Sequence, residues 1–444
     1  MKDLTHGSIR AHLLGLAAPT AAGMLFQTLY FLVDLYFVAR LGGAAIAGVG
    51  SAGNASFLIM ALTQVLGVGT VALIAQAVGR QDQPSAKLVF NQSLLLSLLG
   101  AVGSLVLGYT LAPVYVAGIG SDAATRAAGL AYLQWYLPGL ALQFALVGIA
   151  SALRGTGIAR PTMVVQIVTV LLNTVLTPVL ITGWGTGHPM GVAGAGLASS
   201  ISVAAGVLLL WLYFRKLEHY VSVDGRLWRP QPTVWRQILA IGVPAGGEFL
   251  LMFALFSFIY WLIRPFGAVA QAGYSIGSRV MQAVFLPTMA LAFAVAPVAG
   301  QNFGARQFGR VRETFRSAAA MSAALMIAVT VLCQLRPQAL VRPFTSDPAV
   351  IAVGAQYLRI ISWNFAAIGV VFSCSGAFQA IGNTVPALLS SASRVLSFVL
   401  PAWWWAQQHG FELTDVWYLS VFSVALQAIL SLLMLRRQFR LRLA

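Results

Sequence analysis

Apolar stretches fill this chain from end to end, divided by short breaks rich in Gly, Pro and Arg. An apolar run of about 20 residues is long enough to cross a bilayer as a helix. Twelve such runs begin near residues 13, 44, 88, 124, 160, 190, 236, 268, 315, 349, 385 and 415. The pattern predicts an all-α polytopic membrane protein with twelve transmembrane helices. Met1 to His12 is short and polar, with no small-residue cleavage signature after the first apolar run. That run therefore reads as a retained span rather than a signal peptide.

Composition agrees with the pattern. The chain has 444 residues, of which 59% are hydrophobic and 9% charged, with mean hydropathy +0.83. Soluble domains carry about 25% charged residues. The net charge of +16 would suggest nucleic acid in a soluble protein. Membrane topology accounts for it better. Threading the twelve spans puts 19 of the 27 basic residues on the side that holds both termini, 5 on the other and 3 within spans. The rich side is cytoplasmic, so both termini are expected inside. An Arg-rich segment, 215–235, then joins an amino-terminal lobe, 1–214, to a carboxy-terminal lobe, 236–444.

The two lobes repeat each other at one ungapped shift of 225 residues. Pro19 matches Pro244, and Gly42 matches Gly267. Gln76 and Gly79 match Gln301 and Gly304. Ser121-Asp122 matches Ser346-Asp347, and Tyr132-Leu133 matches Tyr357-Leu358. Gly157 and Pro161 match Gly382 and Pro386. A half of six spans has both ends on one side, so the copies point the same way. A parallel pair of this kind implies two bundles around a central cleft and transport by alternating access. An enzyme would need a nucleophile, base or metal cluster at membrane depth. His6, His12, His188, His219 and His409 all fall at span ends or in loops. Cys333 and Cys374 lie in apolar runs and read as packing residues.

One carboxylate breaks the first span. In hydrocarbon it costs at least about 2.5 kcal/mol, so Asp34 needs a reason to be there. Gln27 lies seven residues before Asp34 and Tyr30 one turn before it, giving α-helical geometry a single polar stripe. A carboxylate taken out of water holds its proton more tightly. Asp34 could thus exchange a proton or bind sodium in the range that cells offer. The alternative is an interfacial acid near the outer end of its span, solvated by water or capped by a neighbour. Pro19 removes a backbone hydrogen bond from the same helix and permits either a bend or a static kink.

Several segments together resemble the multidrug and toxic compound extrusion (MATE) family, nearest its DNA-damage-inducible-type (DinF-like) branch. They are VDLYFVARLGG around Asp34, AQAVGRQD from Ala75, ALRGTGIARP from Ala152, AGQNFGAR from Ala299 and FQAIGNTVP from Phe378. The resemblance covers nearly the whole chain. It implies a V-shaped antiporter in a bacterial inner membrane, exporting organic and often cationic compounds against protons or sodium. It places the family's first-helix aspartate on Asp34, and polar site positions on Gln27, Tyr30, Asn173 and Ser199. Some members carry a second aspartate where this chain has Thr177, which leaves a single-acid site. The family's first helix is thought to bend with protonation, which would make Pro19 a hinge. No cofactor is expected beyond the coupling ion, H+ or Na+. The expected partners of this monomer are small organic substrates and the lipid bilayer, with no nucleic acid. A lipid-linked precursor flippase of the same superfamily is the rival reading.

In the second lobe Glu248 is the only acid inside a span, and Arg394 lies at comparable depth. An unpaired buried charge is far costlier than a paired one. The two are therefore expected to form an ion pair, which would leave Glu248 either structural or a substrate contact. Arg279 with Gln282 is expected to give a polar patch on the cavity wall.

Overall fold

The computed structural model describes residues 1–119, 122–185, 187–217, 220–408 and 410–443. Ser121, His219 and His409, noted above, lie outside the described residues. Fourteen α-helices follow in order: α1 Ile9–Ala39, α2 Gly43–Gly79, α3 Gln83–Ile119, α4 Ala123–Gly155, α5 Arg160–Thr182, α6 Val192–Leu217, α7 Pro232–Leu262, α8 Gly267–Gly304, α9 Phe308–Leu335, α10 Pro337–Val341, α11 Pro348–Ile361, α12 Phe365–Ala380, α13 Val385–Trp405 and α14 Leu413–Arg442. Helix α10 is a five-residue piece, and a 3-10 turn at Ser362–Asn364 breaks one pass into α11 and α12. Counting that pair as one pass gives the expected twelve among the described residues. The chain is all-helical because a span in hydrocarbon must satisfy its backbone internally.

The duplication extends to backbone conformation. Gln81 and Arg306 are the two non-glycine residues with positive φ among the described residues, at 59° and 58°, and they are 225 apart. Gly42 with Gly267 and Gly157 with Gly382 are further positive-φ pairs at the same shift. The acid of each Ser-Asp pair has a local task. Asp122 accepts from the Thr125 backbone N–H at 2.8 Å and starts α4, and Asp347 accepts from the Ala349 N–H at 2.9 Å and starts α11. Both are N-caps that satisfy otherwise orphaned helix donors.

Two compact units result. One holds Ala18–Gly242 with Met1–Asp3, and the other holds Leu4–Ala17 with the chain from Val243 onward. Within the first, the segment expected as a joint is fastened to α3. The fully buried Gln92 donates to the carbonyls of Leu227 at 2.6 Å and Arg229 at 2.8 Å, and accepts from the Gln231 N–H at 3.0 Å. Asn91 donates to Ser222 O at 2.9 Å and accepts from the Asp224 N–H at 2.9 Å and Trp228 Nε1 at 3.1 Å. Residues 222–231 are thus a strap on the unit rather than a free tether. Within the second unit, Gln301 accepts from the Leu4 N–H at 2.9 Å and Arg310 donates to Gly7 O at 3.0 Å. Those contacts fix the start of the chain.

Small residues set the helix spacing, as packing without a hydrophobic drive between spans requires. A Cβ on Gly196 of α6 would stand 2.5 Å from Tyr132 O on α4. A Cβ on Gly277 of α8 would stand 2.4 Å from the Tyr357 ring on α11. Each close approach brings one of the two aligned tyrosines to its site.

Candidate functional site

Close contact of α4 with α6 puts Ser199 one turn beyond Gly196, facing the tyrosines of α4. Ser199 is fully buried and hydrogen-bonds with Tyr30 of α1, Tyr132 of α4 and, at 3.5 Å, the Asn173 side-chain amide of α5. Tyr132 also donates to the Asp34 carboxylate. Tyr136 lies beside them, accepting from Ser56 Oγ at 3.4 Å. Four helices thereby converge on one hydroxyl.

Asp34 is 7% exposed, packed where Val38, Ala45, Tyr132, Tyr136 and Leu140 form a core. That burial removes bulk solvation of the carboxylate and leaves Tyr132 as the neighbour that caps it. Arg40 gives it no counter-charge, since its guanidinium hydrogen-bonds Tyr36 and lies over that ring. Three buried polar atoms in the cluster have no hydrogen-bond partner: Asp34 Oδ1, Asn173 Oδ1 and Thr177 Oγ1. Two are pure acceptors and the third can accept. Unmatched acceptors at depth are costly unless a proton or cation completes them. The arrangement can hold one small cation, or one proton on the carboxylate.

The structure thus brings Tyr30, Asp34, Asn173 and Ser199 together, with Thr177 buried one turn beyond Asn173 on α5. Gln27 is exposed and stands outside the cluster. Pro19 is buried within a helix that runs unbroken from Ile9 to Ala39. Tyr132 and Tyr136 were missed as site residues. A signal was present for Tyr132 alone, because it is one of the positions shared with the second lobe.

The second unit corrects one expectation. Glu248 and Arg394 form no ion pair. Ser375 Oγ lies 2.9 and 2.8 Å from the two Glu248 carboxylate oxygens, and Ser391 donates at 3.3 Å. Gln427 in turn donates to Ser391 Oγ at 3.1 Å. Neutral hydroxyls from α12 and α13 do what a counter-charge was expected to do. Arg394, one turn beyond Ser391, sits instead in the electrostatic reach of Tyr357 and Tyr274. Arg279 and Gln282 are both exposed and share no hydrogen bond.

Comparison with known proteins bears on this geometry. The MatE family profile matches residues 19–179 and again 244–404, two stretches whose bounds are 225 apart and which open on Pro19 and Pro244. The chain belongs to the MatE family. It is a multi-pass membrane transporter and not an enzyme. It is 26% identical over 418 residues to the probable multidrug resistance protein YoeA of Bacillus subtilis, covering 92% of this chain and 90% of that one. It is 30% identical over 362 residues to the probable multidrug resistance protein NorM of Pseudomonas putida, covering 79% and 77%. A crystal structure described as MATE in the bent conformation superposes with TM-score 0.92 at 25% identity, over 98% of this chain and 97% of that one. An outward-facing multidrug resistance MATE transporter superposes with TM-score 0.91 at 25% identity and the same coverage. This MatE protein therefore shares fold, duplication and span order with known transporters.

Proposed function

We propose that this MatE protein is a secondary active multidrug exporter, antiporting organic and often cationic compounds against protons or sodium. It works by alternating access in a bacterial inner membrane, with both termini cytoplasmic. Lobes 1–214 and 236–444 are the two moving parts, joined by the Arg-rich segment 215–235. Asp34 is the coupling acid, with Asn173, Thr177 and Ser199 supplying neutral oxygens. Gln27, Tyr30, Arg279 and Gln282 line the substrate path, and Pro19 serves as the hinge. The observation that carries this reading is the buried Asp34 carboxylate with no basic partner, flanked by unmatched acceptors of Asn173 and Thr177.

A carboxylate that must be filled by a cation at this depth links cation occupancy to which arrangement is stable. An imposed cation gradient then drives substrate the other way. The test is counter-transport in proteoliposomes with proton and sodium gradients imposed separately. Efflux should follow one gradient in the parent and lose that dependence in Asp34→Asn, which keeps the shape and removes the titration. Parental transport with unchanged ion dependence in Asp34→Asn would refute the assignment.

A further inference from the structure

The second unit contains an unfilled group of hydrogen-bond donors. Arg394 Nε, Tyr274 Oη and Trp417 Nε1 are all buried and all without a hydrogen-bond partner. Tyr274 is 4% exposed and Trp417 1% exposed. Their rings stack at 5.6 Å with an interplanar angle of 10°, and Tyr357 closes the group edge-on to both, at 5.4 Å from Tyr274 and 4.8 Å from Trp417. The Tyr357 hydroxyl is directed to Met281 Sδ at 3.5 Å. Arg394 as a whole is part-buried, and its guanidinium Nε is buried. Glu248, the acid within α7, is occupied by Ser375 and Ser391.

A buried guanidinium without an anion costs several kcal/mol, and a buried indole or phenol donor without an acceptor adds to it. The aligned position in the first unit has the opposite character. There Tyr132 faces the Asp34 carboxylate, and the unmatched atoms are acceptors. Here Tyr357 faces a guanidinium, and the unmatched atoms are donors. We propose that Arg394, Tyr274 and Trp417 form a binding site for the carboxylate of an aromatic organic anion or zwitterion. Arg394 carries the charge, Tyr274 and Trp417 donate the directed hydrogen bonds, and the aromatic group packs against the ligand's flat body. This goes beyond the exporter reading and does not rest on it.

The test is equilibrium binding to the full-length protein in detergent, with no gradient, read by fluorescence polarisation of two dyes. Tetramethylrhodamine with a free carboxyl group is a zwitterion, and its methyl ester is a cation of nearly the same shape. The free acid should bind more tightly. Arg394→Gln should weaken the free acid by tenfold or more and change the ester by less than threefold. Tyr274→Phe keeps the ring and removes one donor, and Trp417→Phe removes the indole donor while leaving a smaller aromatic ring. Both should weaken the free acid alone, by about tenfold, as expected for a hydrogen bond to a charged group. Equal affinity for the two dyes, or equal loss of both in Tyr274→Phe and Trp417→Phe, would overturn the proposal. Displacement of the free acid by millimolar chloride would assign the donors to a small inorganic ion and would also overturn it.

Discussion

Replacing Gln92 by Leu tests whether segment 222–231 is strapped to its unit. Leu is close in volume and makes none of the three hydrogen bonds that Gln92 makes with Leu227, Arg229 and Gln231. A net hydrogen bond is worth about 1 kcal/mol, so the strap loses about 3 kcal/mol. Each 1.4 kcal/mol is tenfold, so transient opening rises about 100-fold. Arg226 is exposed and followed by Leu227, whereas Arg229 is followed by Pro230, which trypsin does not cut. Cleavage after Arg226 therefore reports opening of the strap, and at low protease its rate follows the open population. The assay is limited trypsinolysis of the purified protein, scoring the fragment that begins at Leu227. The parent should resist, and Gln92→Leu should be cut about two orders of magnitude faster while its overall thermal midpoint changes little. A rate within twofold of the parent would show that those hydrogen bonds do not hold the segment.

Gly196→Val should lower the thermal midpoint and impair transport together, because its Cβ would meet Tyr132 O at 2.5 Å and push α6 with Ser199 away from α4. Scanning fluorimetry and vesicle transport read the two effects. Arg306→Gly should be neutral or raise stability by up to about 1 kcal/mol, since a side chain at φ 58° is strained, and chemical denaturation would show it. Ser375→Ala with Ser391→Ala should cost about 2 kcal/mol or more by leaving the Glu248 carboxylate without donors, and adding Glu248→Leu should recover part of it. Asp82, in the turn after α2, is held below the usual carboxylate range by hydrogen bonds from the Ser85 hydroxyl and backbone N–H. Its contribution is present above the unfolded value of about 3.9 and disappears as pH falls through the lower folded value. Thermal midpoints of the parent and Asp82→Asn should therefore converge below about pH 4.

Helix number and order were legible because a bilayer leaves almost no other way to satisfy an apolar backbone. Most span starts fall within about five residues of those predicted, as for Gly43, Ala123 and Val385, whereas α9 starts earlier than expected, at Phe308. Duplication was legible through Pro19, Gly42 and Tyr132, each repeated at one shift. The polar cluster was legible only in part. Spacing along one helix pointed to Tyr30 and Asp34, but Tyr132 and Tyr136 reach the cluster from α4, and no one-dimensional period joins two helices. The Glu248 partner was misread because charge is visible in a sequence and a converging pair of serines is not. Segment 222–231 looked like a tether because its charges suggested solvent. Its carbonyls are held by Asn91 and Gln92, residues 131 or more positions away along the chain.

The aligned tyrosines, one donating to a carboxylate and the other beside a guanidinium, say something about ancestry. A protein assembled from two identical chains must place the same electrical sign at both copies of a position. Within one chain that constraint is absent: Asp34 has Ile259 as its counterpart and Arg394 has Thr169, so each half carries a charge that the other lacks. The doubled sequence is therefore more than spare length: it lets the two halves diverge in polarity residue by residue.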